Sequence, residues 1–146
     1  MPLAPHGKKL VAHAMFYKGK HFLAAAALLL QKGGCGDVVL HLLCQGLEII
    51  QKGLLLARDY DKFKPELKKL GHNLVRGSDA LHAAYALRPL KKETKAELQA
   101  LSDYYRQHLL RYGTIHDVFV GTRHLQFEAV MRKAVALTSL GNKVFR

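Results

Sequence analysis

The chain has 146 residues, a length at which one domain is the rule, and it can bury roughly 68–70% of its unfolded surface without disulfides or metal. A composition of 49% hydrophobic and 23% charged residues is globular, which excludes a disordered tail and a fibrous protein. Against 11 Asp and Glu stand 23 Lys and Arg, and the resulting +12 attracts polyanions while saying nothing about fold.

Residues 1–10 contain Pro2, Pro5 and Gly7 and are expected to be extended. Residues 1–36 hold five lysines and no acidic residue. A first helix is predicted from about Val11 to Gln31, with Gly33-Gly34 as its C-cap. Its apolar stretch Phe22–Leu30 falls far short of the ~20 residues a membrane span needs, and Gln31-Lys32 follows where a signal-cleavage site would stand. It reads as a core helix, with no membrane partner expected. Cys35 and Cys44 match no zinc or redox spacing, so the expectation is a reduced, cytoplasmic chain with Cys44 buried.

A second helix is predicted from an Asp37 N-cap to about Arg58. Leu40, Leu43, Leu47, Ile50, Leu54 and Ala57 form its apolar stripe. His41, Gln45, Glu48 and Lys52 recur on another face, with Glu48 and Lys52 as an i,i+4 ion pair at a surface or seam. Gly46 and Gly53 share one side, which predicts close approach of a neighbouring helix. Asp59-Tyr60-Asp61 opens a polar connection, and Pro65 starts a short helix ending at Gly71. A third long helix is predicted over about Asn73–Leu87 with Leu74, Leu81 and Tyr85 inward. After Pro89, Thr94-x-x-Glu97 reads as the capping box of a fourth, whose buried face is Leu98, Leu101, Tyr105 and Leu109. Gly113 marks a turn. The last helix is predicted over about Asp117–Leu140, with Val120, Phe127, Val130, Ala134 and Leu137 aligned, Gly141-Asn142 ending it and 141–146 left as a short basic tail. No strand-like alternation appears. The fold class expected is all-α, a single-domain up-down bundle of four to five helices.

Nine histidines invite a metal hypothesis. A di-iron bundle needs Glu-x-x-His twice, and the nearest fragment is a single Asp79-x-x-His82. There is no His-Glu-x-x-His helix, no paired cysteines and no phosphate loop, so no metal and no cofactor is expected.

The stretch Leu40–Leu74, LHLLCQGLEIIQKGLLLARDYDKFKPELKKLGHNL, joins an apolar helix carrying Gln-Gly-x-Glu-x-x-x-Lys to a lysine-rich connector and to Gly-His-Asn-Leu opening the next helix. Leu110-Arg111-Tyr112-Gly113 precedes the final helix. In order and spacing these segments resemble the HEPN family of helical nucleotide-binding domains, over about residues 40–137. Many members are metal-independent endoribonucleases, often toxins of toxin–antitoxin pairs, that work as homodimers and carry Arg, four to six residues, then His, late in the domain. The resemblance implies Arg111 and His116 as the catalytic pair at a dimer interface. Arg76 and His82 share the spacing but would sit within one helix. Ribonuclease members usually carry a small polar residue after the arginine, and Tyr112 departs from that.

Metal-free RNA cleavage needs a base for the 2′-hydroxyl proton, an acid for the leaving oxygen and a cation on the phosphorane. Histidine, titrating near pH ~6.5, serves the proton transfers, and arginine matches phosphate oxygens with two parallel donors. Lys52, His72, Arg106 and Tyr112 are candidate RNA- or phosphate-binding residues, Tyr112 by stacking on a base. Each has a plainer role beside it: Arg111 complements a helix C-terminus, His116 is solvated ahead of an Asp117 cap, His72 packs at a helix junction, and Lys52 pairs with Glu48. Three readings therefore stand: an endoribonuclease, a non-catalytic nucleotide- or RNA-binding domain, and an interaction module for an acidic partner such as an antitoxin.

Overall fold

The computed structural model describes residues 2–107 and 125–146. Among them the chain is all-α, with no strand. Five long helices carry the structure: α1 (Pro5–Gln31), α2 (Gly36–Arg58), α5 (Leu74–Ala84), α6 (Lys92–Arg106) and α7 (Glu128–Val144). Two short ones, α3 (Tyr60–Phe63) and α4 (Glu66–Leu70), fill the connection from α2 to α5. α2 is the central element and packs on α1, α3, α5, α6 and α7.

α1 begins six residues before its expected start, because Pro5 stands at the head of the first turn, where it lacks only an amide that would have no partner anyway. Its end is as expected. Gly33 adopts φ +70°, its amide donates to the Leu30 carbonyl at 3.2 Å, and the Gly34 amide donates to Leu29 at 2.8 Å, a Schellman closure. α2 starts at Gly36 with Cys35 as its N-cap, which puts Asp37 inside the first turn, near the positive end of the helix dipole.

α1 and α2 run antiparallel at very close range. A Cβ on Gly19 would lie 3.0 Å from the Ile50 amide nitrogen, one on Gly46 3.1 Å from the Gly19 carbonyl oxygen, and one on Gly53 2.9 Å from the Phe16 amide nitrogen. The approach expected for Gly46 and Gly53 is therefore present, and Gly19 completes the seam from the other side. α2 alone among the described residues is long and apolar enough to cross a membrane, and 67% of that window is buried inside the fold. Cys44 is fully buried there, and burial pushes its thiol pKa up to about 12.

In the connection, the Asp59 side chain accepts the Lys62 amide as the N-cap of α3, and Gly71 ends α4 at φ +52°. Asn73 caps α5 by accepting the Arg76 amide at 3.1 Å. α5 stops at Ala84 rather than Leu87, where Ala86 takes φ 50° and the His82 ring donates from Nδ1 to the Arg88 carbonyl at 2.8 Å. Tyr85 then closes onto α2, its hydroxyl donating to the Leu54 carbonyl at 2.6 Å.

The expected capping box is absent. α6 starts at Lys92, so Thr94 lies inside it, and Glu97 accepts the amides of Ala129 (3.0 Å) and Val130 (3.3 Å). Glu97 thus caps α7, a helix some thirty residues away. α7 is also displaced from expectation. Residues 125–127 are not helical, so no continuous helix runs from Asp117 to Leu140, and α7 passes through Gly141 to Val144. Gly141 is needed there because a Cβ would enter the Phe16 ring.

Candidate functional site

The chemistry-bearing residues that the described structure brings together lie where α2 meets α6 and the α4–α5 junction. Glu48 is buried at 6% exposure on the α2 face opposite the glycine seam. One carboxylate oxygen accepts from Lys52 Nζ at 3.0 Å and from His72 Nδ1 at 2.8 Å, and the other accepts from the Tyr105 hydroxyl at 2.6 Å. Lys52 Nζ also donates to the Gly71 carbonyl at 2.8 Å. The positive φ at Gly71, strained for any side chain, is what turns that carbonyl toward the ammonium.

Burial by itself raises the pKa of the Glu48 carboxyl. The Tyr105 hydroxyl, the Lys52 ammonium and the His72 ring together outweigh it and hold the group below the usual carboxylate range. Glu48 is therefore ionised at neutral pH. It follows that the His72 Nδ1 hydrogen points at the carboxylate, which fixes the orientation of the ring. The Tyr105 hydroxyl has one proton, and the charged carboxylate takes it. Gln45 Oε1 lies 2.8 Å from the same hydroxyl and is its second acceptor within hydrogen-bond distance. The Tyr105 ring meets the edges of His72 (5.6 Å between centroids) and His41 (6.5 Å).

The sequence-predicted residues separate sharply. Lys52 and His72 are joined through one carboxylate. The Glu48–Lys52 pair, expected at a surface or seam, belongs to a seam, and its side chains are 7% and 18% exposed. Arg106 is exposed in the last turn of α6 and adjoins Tyr105 in sequence only. Arg111, Tyr112 and His116 lie outside the described residues, as do Leu109, Gly113, Asp117 and Val120. Arg76 and His82 both lie in α5, Arg76 exposed and His82 turned to the Arg88 carbonyl. Among the described residues no three His, Cys, Asp or Glu side chains are grouped to hold a metal ion.

Sequence reasoning missed the hydroxyl of Tyr105, read only as core, and the part of Gln45. The signal was present in the spacing of His41, Gln45, Glu48 and Lys52. That face is polar because another polar element packs on it.

Compared with known proteins, the chain matches no protein-family profile, no curated protein and no solved structure.

Proposed function

We propose that this chain is an RNA-binding helical protein of HEPN type that cleaves its ligand without metal, with Arg111 holding the scissile phosphate and His116 moving the proton. The observation that carries the binding half is the net charge of +12 together with where it is displayed. Lys64, Lys68 and Lys69 stand exposed around α4, Lys91, Lys92 and Lys95 stand exposed at the head of α6, and Arg106 is exposed at its end. Such a surface releases counterions from a phosphate backbone, so affinity falls steeply with salt. Lys52 already donates twice within the protein, so in this reading phosphate contact falls to the exposed cations, with Tyr112 stacking on a base. The cleavage half rests on the order and spacing of the segments between Leu40 and His116, and homodimerisation goes with it.

The test uses the purified full chain and end-labelled single-stranded RNA in EDTA. The reading expects binding whose logarithm falls linearly with log salt, and cleavage that is lost in His116→Ala and in Arg111→Ala while binding persists. Binding without cleavage by the wild type leaves the non-catalytic RNA-binding domain. No binding at low salt overturns both.

A further inference from the structure

α1 has two apolar faces, and the fold uses one. The inner face, Ala12, Phe16, Gly19, Leu23 and Ala26, is buried against α2 and α7. On the opposite side Leu10, Ala14, Tyr17, His21, Ala24 and Leu28 follow one another at steps of four and three, which is the a/d seam of a coiled coil. All six are exposed, with Leu10 at 55%, Tyr17 at 58% and Leu28 at 58%. From Leu10 to Leu28 the seam is about 27 Å long at 1.5 Å per residue. The positions that flank it are His13 and Lys20 on one side and Val11, Lys18 and Ala25 on the other. Tyr17 and His21 are already set against each other, with ring centroids 4.4 Å apart.

We propose that this outer face of α1 is a docking site for an acidic amphipathic helix, whose apolar stripe covers the Leu10–Leu28 seam and whose carboxylates meet Lys18 and compete with Asn142 for Lys20. Charge selects the occupant. α1 carries Lys8, Lys9, Lys18 and Lys20 and no acidic residue. Lys8 is neutralised by Asp61 at 2.8 Å and Lys20 donates to Asn142 at 2.9 Å, which leaves Lys18 as the lysine beside the seam; a second copy would set it against His13 or its own counterpart, with no carboxylate in either α1 to meet it. A helix with Glu at the flanking positions turns each of those contacts favourable and fixes orientation.

The experiment titrates the full chain with a synthetic peptide of about three heptads carrying Leu at a and d and Glu at e and g. Binding is expected to saturate at one peptide per chain. It should weaken by about tenfold or more in the Leu10→Ser/Leu28→Ser double variant, which alters only exposed side chains and whose helicity is checked by circular dichroism. Lys18→Glu should weaken the acidic peptide and strengthen one with Lys at e and g. Equal binding of a scrambled peptide of the same composition overturns the proposal in favour of bare charge. Self-association that the double variant abolishes assigns the face to a second copy and overturns it. Tighter binding to phosphatidylserine-containing vesicles that the double variant abolishes assigns it to lipid, and no peptide binding overturns it outright.

Discussion

The central helix is held on its two sides by opposite means. Toward α1 it presents glycines, and what matters there is shape: backbone meets backbone with no room for a methyl group. Toward α6 and the α4–α5 junction it presents Gln45, Glu48 and Lys52, and what matters is that the buried carboxylate and the ammonium beside it are each paired. The first seam is non-directional and leaves register to the steric fit of Gly19, Gly46 and Gly53. The second is directional, since the Glu48 carboxylate accepts donors from three elements and so fixes Tyr105, His72 and the junction at once. A buried ion pair is weak evidence of stability, but losing one partner is costly because it strands the others.

Substitutions on the two sides should separate these mechanisms, and Glu48→Ala should cost most. It leaves the Tyr105 hydroxyl and Lys52 ammonium without their acceptor, and we expect a loss of about 3 kcal/mol in denaturant unfolding. On the dry side, Gly53→Ala should cost about 2 kcal/mol despite the better helix propensity of alanine, because the atoms its methyl would meet are backbone and cannot turn away. Gly36→Ala is the control, with nothing within 4 Å, and should be neutral or stabilising by roughly 0.4 kcal/mol or more. A destabilising Gly36→Ala would show that the cost at Gly53 is not steric.

Tyr105→Phe should cost about 1–2 kcal/mol by leaving Gln45 and Glu48 short of a hydroxyl, whereas a neutral result would reduce the polar seam to the contacts of Lys52 and His72. Glu97→Ala should cost about 1 kcal/mol and appear as faster amide exchange at Ala129 and Val130, the sign of a cap lost across two helices.

Acid sharpens the same contrast, because only one seam titrates. Glu48 is held below its ordinary pKa of 4.5, so its contribution is complete above that value and is lost as pH falls through the depressed one. His82 adds an earlier, smaller step. Burial and the neighbouring Lys133 ammonium lower its pKa from 6.5, outweighing the Arg88 carbonyl and Asp79, so the folded state resists a proton that the unfolded chain accepts. Stability should therefore decline first as pH falls below 6.5 and again below 4.5. Thermal melts of His82→Gln should lose the first decline and keep the second.

The all-α class, the limits of α2 to within a residue and the Gly33-Gly34 closure of α1 were legible from the sequence. They depend on periodicity and on residues adjacent in the chain. The misreadings share one cause. Thr94-x-x-Glu97 has the spacing of a capping box, yet Glu97 caps α7, because a carboxylate serves whichever helix terminus the fold brings to it. Glu48 and Lys52 read as an ordinary i,i+4 pair, since nothing within α2 says that Tyr105 and His72 close over them. Gly141 reads as a helix end until Phe16 is placed beside it.

By itself, then, the sequence determined that this protein is helical, basic and free of an evident metal-ligand pattern, that α2 carries an apolar stripe, and that two of its glycines demand a near neighbour. Tertiary structure alone decided which carboxylate is buried, which helix Glu97 caps, and that α1 keeps a second apolar face in water. The physical reason is range. Propensity, capping by neighbours and net charge act along a few residues or over the whole chain, whereas desolvation and hydrogen-bond satisfaction depend on which distant side chain arrives.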